Sequence, residues 1–360
     1  MIKLDGNYGE GGGQIARTAL ALSTLFGEPF EIVNIRKGRK SPGLKAQHMT
    51  CINALNNICG AKVEGVELGS MSLKYEPGKI KPGTYTIDIG TAGSITLLLQ
   101  SLLMPCFFAG KKVRLKITGG TDVSWSMPFD YFAEILVPHL RKFCKSIDVK
   151  LLKRGYYPKG NGVVDIDIRP RYNVYNYNNL VEFIDSVSND VPNIDLMDQG
   201  KLTLVKGVAH ASRGLQKNDV AERMARAAKH KLLSLGVPVR IRTEYQDTFS
   251  DGCGITLWGV YSKKGDVSYT NPVRVGADSL GRIGKKSEQV GTEVAERLLY
   301  EINLKSPVDE FLADNLIPWL MFGGRMKVSK LSQHTLTNIY AVEQVLGKMF
   351  KVEKNIISRI

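Results

Sequence analysis

A single carboxylate, Glu10, sits in the glycine-rich run Asp5-Gly6-Asn7-Tyr8-Gly9-Glu10-Gly11-Gly12-Gly13-Gln14, directly ahead of an apolar helical segment that carries Arg17. Glycine lets backbone approach a ligand closely, and a helix that follows turns free N–H groups toward an anion, so the run reads as a phosphate and metal site. It lacks the Gly-Lys-Ser/Thr ending of the Walker loop and the acidic residue of the dinucleotide fingerprint. Two other reactive groups lie elsewhere in the chain. Arg36 and Arg39 occur in Arg36-Lys37-Gly38-Arg39-Lys40-Ser41-Pro42-Gly43-Leu44, and His334 closes Ser332-Gln333-His334. Guanidinium forks suit phosphate oxygens, Glu10 offers a hard oxygen to Mg²⁺ or Mn²⁺, and His334 offers a nitrogen that acts as nucleophile or base. Each has a plainer reading: a strand-to-helix turn, a helix cap, or surface charge.

For these groups to meet, separate elements must converge, and the periodicities show one way. A helix, a short strand, a second helix and one or two strands recur three times. In the first copy Ile15, Ala19, Leu22 and Phe26 mark a helix, 30–35 a strand, Met49, Ile52, Leu55 and Cys59 a second helix, and 62–75 a hairpin-like pair. In the second copy Gly90-Thr91-Ala92-Gly93-Ser94 opens a helix, 113–117 is a strand, Phe132, Ile135, Leu136 and Phe143 form a helix, and 149–152 and 163–168 are strands. The third copy has a helix at 309–321, a strand at 326–331, a helix at 335–346 and a final strand near 349–352. The fold class expected is α/β (α+β): three βαβαββ-like units in a large domain over 1–181 and 306–360, interrupted by a smaller inserted α/β domain over 182–305. The residues leaving the short strand of each unit then fall at equivalent places: the arginine cluster, Gly119-Gly120-Thr121-Asp122, and His334.

Composition narrows the setting. With 360 residues and 43% hydrophobic content the chain can bury a large core. Its 49 basic against 35 acidic residues give a net charge of +14, which favours a polyanionic partner. Lys206, His210, Arg213, Lys217, Arg223, Arg226, Lys229, Lys231, Arg240 and Arg242 concentrate that charge in the insertion. The five cysteines lack metal-site spacing and read as reduced buried thiols, so a cytoplasmic location is expected. The most apolar run, 95–109, contains Gln100 and falls short of a bilayer span, so no membrane partner is expected.

The glycine run, the block Arg36-x-Gly38-Arg39-x-x-Pro42-Gly43-Leu44-x-x-Gln47-His48, the run from Gly90 to Gln100, Gly119-Gly120-Thr121-Asp122, Leu312-Ala313-Asp314-Asn315-Leu316 and His334-x-Leu336-Thr337-Asn338-Ile339 together resemble the RNA 3′-terminal phosphate cyclases. The resemblance spans most of the chain; the insertion matches only in placement. It implies ATP-dependent conversion of an RNA 3′-phosphate to a 2′,3′-cyclic phosphodiester through AMP on a histidine and an RNA-adenylate anhydride. By that resemblance His334 is the adenylated residue, Glu10 the metal ligand, and Arg17, Arg36, Arg39, Gln47 and Gln100 the phosphate contacts, with Gln14 in the nucleotide site. The adenine would lie between Phe311 and Pro128, with Asp314 and Asn315 near the nucleoside. Family members often have Tyr in place of Phe311 and Gln in place of Asn315; Phe keeps a stacking face and loses a hydroxyl. ATP, Mg²⁺ or Mn²⁺, and RNA with a 3′-phosphate end are thus the expected ligands. The oligomeric state stays open, with a homodimer as one arrangement. The competing reading is a non-catalytic cyclase-like factor in ribosomal RNA processing, which would lack the nucleophile that this chain keeps at His334. An enolpyruvyl transferase shares the three-unit pattern but needs no such histidine.

Overall fold

The computed structural model describes residues 1–263 and 265–360. The first unit runs β1 (Ile2–Asp5), α1 (Gln14–Phe26), β2 (Phe30–Val33), α2 (Ala46–Cys59), β3 (Lys62–Glu64) and β4 (Leu73–Glu76). Its sheet has the order β1-β2-β4-β3, with β1 parallel to β2 and the other pairs antiparallel. The second unit repeats this with β5 (Gly83–Asp88), α3 (Ile95–Phe107), β6 (Val113–Gly119), the short helices α4 (Phe129–Tyr131) and α5 (Val137–Leu140), β7 (Cys144–Lys153) and β8 (Gly162–Pro170), in the order β5-β6-β8-β7. The helix expected around Phe132 to Phe143 is present as one continuous helical run, in which a wider π-helical stretch, Phe132–Leu136, joins α4 to α5 and a 3₁₀ turn, Arg141–Phe143, ends it. The cause of the wider stretch is Pro138, which lacks an N–H and crowds the carbonyl four residues back. That carbonyl, on Glu134, accepts instead from the Arg274 guanidinium.

After α6 (Leu180–Asp190) comes β9 (Ile194–Leu196). The segment that follows forms its own sheet from β10 (Lys201–Ser212), β11 (Val239–Gln246), β12 (Cys253–Ser262) and β13 (Arg274–Leu280), in the order β11-β10-β12-β13. Helices α7 (Val220–Leu232) and α8 (Ser287–Asn303) close a separate small core over it, built on Val205, Met224, Leu257 and Val294. The third unit then resumes with α9 (Glu310–Leu320), β14 (Gly324–Lys327), α10 (Gln333–Leu346), β15 (Phe350–Glu353) and β16 (Ile356–Arg359). Its first strand is β9, parallel to β14, so the sheet order β9-β14-β16-β15 matches the other two units. The expected limit at 182 therefore does not follow the sheets. Phe183, Ile184 and Val187 of α6 and the strand β9 pack into the main core, and the insertion interrupts the connection from β9 to α9. Among the described residues no helix is long and apolar enough to cross a membrane.

Helix α1 explains why the three units share a centre. Every residue from Gln14 to Leu25 is buried, as expected of a helix enclosed on all sides. Its polar residues reach two neighbours: Arg17 donates to Gln100 of α3 at 2.8 Å, and Thr18 to Asn338 of α10 at 2.6 Å. One helix of each unit thus meets at the start of α1.

Candidate active site

The turn from β1 to α1 lies across α10. Tyr8 stacks on Tyr340 with ring centres 3.9 Å apart, and the Tyr340 hydroxyl accepts from the Asp5 amide at 3.0 Å. Gly9 has a φ of +58°, and a Cβ there would come within 2.8 Å of the Thr337 hydroxyl. Only glycine allows that contact. The turn so held places Glu10 beside His334 at the second position of α10, whose Ser332 caps the helix by accepting from the Thr335 amide at 2.9 Å.

His334 is held through one ring nitrogen. Its Nδ1 donates to the Gln14 Oε1 at 2.7 Å, which leaves Nε2 as the nitrogen facing outward, 3.3 Å from the Glu10 Oε2. The same carboxylate oxygen accepts from the Arg39 guanidinium at 3.2 Å. Glu10, Arg39, Gln14 and His334 thus form one cluster from three distant stretches of chain.

Behind it lie Arg17 and Arg36, which among the described residues have no carboxylate partner. Arg17 is buried; burial pushes its guanidinium down to about 10, with Arg36 adding repulsion. Arg36 has a φ of +54° and turns its guanidinium onto the carbonyls of Ser41 and Gly43, at 2.9 and 3.2 Å. Burial lowers its pKa too, with Arg39 as the second cause. Such a pocket stores positive potential that an anion relieves. His48 completes it. Its Nδ1 accepts from the Lys45 amide at 2.9 Å, and a Cβ on Gly13 would lie 2.0 Å from its Nε2, so the glycine makes room for the ring.

Burial, with Arg17, Arg36 and Lys45 adding repulsion, pushes His48 down to about 3 from an ordinary 6.5. The unfolded chain then takes up a proton that the folded chain refuses. Stability from this group is present above pH 6.5 and is lost as the pH falls toward 3. His48→Gln is expected to flatten the acid side of the stability profile in that window, read by urea unfolding at stepped pH. An unchanged slope would show that His48 is not held neutral.

A cleft opens beside the cluster, lined by Thr18, Thr96, Gln100, Met127, Asp314 and Asn315. Gln100 donates to Asn315 at 3.0 Å, so the Arg17–Gln100–Asn315 chain crosses all three units' helices. Burial pushes the Asp314 carboxyl up to about 7 against hydrogen bonds from Thr335 and Ser332, which hold α9 to the start of α10. Phe311 is half exposed and presents its ring edge-on to Tyr131; Pro128 adjoins Met127. Neither Phe311 nor Pro128 lines this cleft; they flank the residues that do. Gln47 donates to the Ser94 carbonyl at 3.2 Å, at the cap of α3.

Asp122 departs from the expected common centre. It is buried and turned toward the insertion, where Arg154 binds Asp122 at 2.9 Å, Asp130 at 2.7 Å and Glu244 at 2.6 Å. His210 approaches Asp122 at 3.3 Å, while its other nitrogen meets the Tyr156 hydroxyl at 2.8 Å. Asp122, Asp130 and His210 have metal-ligating atoms within reach of one another, but the Arg154 guanidinium already supplies the cation there. The sequence alone gives no role to Ser332, Thr335 or Asn338, although Ser332 ahead of a helical segment is a cap signal. Nothing in the local sequence marks Arg154, whose partners lie 24 to 90 residues away.

The description RNA 3′-terminal phosphate cyclase belongs to the family model that matches residues 8–352. The chain belongs to that family. A relative from Pyrococcus furiosus is 44% identical over 354 residues, covering 98% of this chain and 95% of the relative. Relatives from Archaeoglobus fulgidus and Methanosarcina mazei are each 39% identical, over 358 and 357 residues, covering 99% and 98% of this chain and 98% and 97% of their own length. All three are named RNA 3′-terminal phosphate cyclase. The family holds enzymes, and these names do not favour a non-catalytic processing factor.

Proposed function

We propose that this chain converts the 3′-terminal phosphate of an RNA to a 2′,3′-cyclic phosphodiester, using ATP, with AMP carried first on His334 and then on the RNA. The observation that carries the reading is the grip on His334, with Nδ1 donating to Gln14 and Nε2 directed outward beside Glu10. Nε2 attacks the α-phosphorus of ATP, a P–N bond forms, and pyrophosphate leaves with the electrons of the broken P–O bond. Arg39, Arg36 and Arg17 draw off the charge that develops. An RNA 3′-phosphate oxygen then attacks the same phosphorus and breaks the P–N bond, returning the histidine and leaving an anhydride. The neighbouring 2′-oxygen closes on the RNA phosphorus, its proton passes to water, and AMP leaves; the ring closure is intramolecular, so proximity lowers its barrier.

Glu10 is the one carboxylate in the cluster, which fits an Mg²⁺ or Mn²⁺ held by a single protein oxygen and by substrate phosphates. When bound, the ion supplies positive charge against the triphosphate. Asp314 and Asn315 are proposed at the nucleoside, Phe311 and Pro128 at the adenine, and Gln47 and Gln100 at the phosphates. The +14 net charge supports a polyanionic substrate bound in a salt-sensitive way. All five cysteines are free and four are buried, in keeping with a reducing cytoplasm.

Incubation with α-labelled ATP and a divalent metal, then denaturing electrophoresis, is expected to leave label on the chain. Absence of label would refute the covalent route. Glu10→Ala is expected to remain folded, because the side chain is partly exposed and adds little packing, yet to lose metal-dependent labelling by at least about tenfold. An unchanged metal titration in the variant would remove Glu10 from the site.

A further inference from the structure

The strangest aromatic in the molecule is Trp125. It is 98% exposed and has a φ of +67°, a backbone region that bulky residues avoid, whereas Trp258 and Trp319 are 3% and 4% exposed. Its loop is not slack. Thr121 donates through its amide to the Gly155 carbonyl at 2.9 Å, the Phe129 amide donates to the Thr121 carbonyl at 3.0 Å, and the Thr96 hydroxyl holds the Met127 carbonyl at 2.6 Å. An indole is therefore kept in water, on a strained and braced turn, beside the candidate site.

Two further exposed rings continue from it. Tyr157 lies two residues past Gly155, and Phe249 has the Lys153 ammonium 4.1 Å above its ring. The Lys159 amide donates to the Ser250 hydroxyl at 3.0 Å, which ties these last two loops together. On the other side the Gly120 amide donates to Gly93 at 2.8 Å, next to Ser94, whose carbonyl accepts from Gln47. Loops bonded in sequence thus lead from the proposed phosphate contact Gln47 past Trp125 to Tyr157 and Phe249. We infer that Trp125, Tyr157 and Phe249, with Lys153 and Lys159, form a track on which bases of a single-stranded RNA stack as it leads to the reacting 3′ end. Aromatic faces accept any base and ammonium groups follow the phosphates, so the track reads strandedness rather than sequence.

The inference rests on the cyclase reading, and one set of measurements separates the two. Trp125 is the one exposed tryptophan, so its fluorescence reports stacking directly. A 3′-phosphorylated single-stranded RNA of about ten nucleotides is expected to quench it, and a mononucleoside 3′-phosphate is not. Trp125→Ala is expected to weaken binding of that RNA on the order of tenfold with an unaltered melting temperature, and Trp125→Phe to restore most of the affinity. Cyclisation of the same RNA by the wild-type chain, with no quenching and equal affinity in Trp125→Ala, would overturn the track and leave the activity standing. Failure of the wild-type chain to cyclise that RNA at all would overturn the activity, and with it the path to a reacting end.

Discussion

His334→Ala is expected to take up no label from α-labelled ATP and to lose RNA cyclisation by at least about 10³-fold, the scale seen when a covalent nucleophile is removed. The loss should be chemical, not structural, because the imidazole is about half exposed and its removal leaves the Ser332 cap intact. Gln14→Ala is expected to give a milder defect, since the nucleophile stays but its ring is no longer oriented through Nδ1. Intact-mass analysis after incubation with ATP and metal separates these outcomes. An adduct of AMP mass on His334→Ala would move the nucleophile elsewhere, with His48 and the lysines next in line.

The largest expected effect on stability belongs to Arg154→Ala. Arg154 is fully buried between Asp122, Asp130 and Glu244, so its loss strands carboxylates inside the protein. Breaking a buried ion pair on one side costs about 3 to 5 kcal/mol. The network also sets an acid response through Asp122. Burial opposes charge on Asp122, yet the neighbouring His210 and Arg154, with the hydrogen bond from Thr121, hold its carboxyl below the ordinary range. Its stabilisation is present above the ordinary carboxylate pKa and is lost as the pH falls through the depressed one. Urea unfolding at neutral pH checks the mutational effect; a loss under about 1 kcal/mol would mean that water or a neighbouring cation replaces the guanidinium.

The three-unit architecture was readable because each unit carries its own apolar periodicity, and helix existence depends on local pattern. What stayed hidden was pairing across distance. Strand β9 is three residues long and falls within the stretch read as the insertion; only its parallel partner β14, about 130 residues on, makes it the first strand of the third unit. The same holds in the site. Glu10, Arg39 and His334 stand out by residue type, and the equivalent strand-exit positions of Arg39 and His334 in repeated units point to one centre, where the structure has both within 3.3 Å of Glu10. Asp122 does not join them, because its buried carboxylate pairs with the equally buried Arg154 guanidinium at 2.9 Å. Equivalent backbone positions do not dictate where side chains point. The widened helical stretch ahead of Pro138 was legible in the sequence, since proline inside a helical pattern is a direct steric signal.

The most direct test of ATP-dependent cyclisation is the state of the RNA end. A 3′-phosphorylated oligoribonucleotide is incubated with the wild-type chain, ATP and Mg²⁺ or Mn²⁺, then treated with phosphatase and weighed by mass spectrometry. The result expected is an RNA lighter by one water, resistant to phosphatase, formed only with ATP and with release of one AMP per end. A terminus that stays open to phosphatase, or one that closes equally well without ATP, would contradict it.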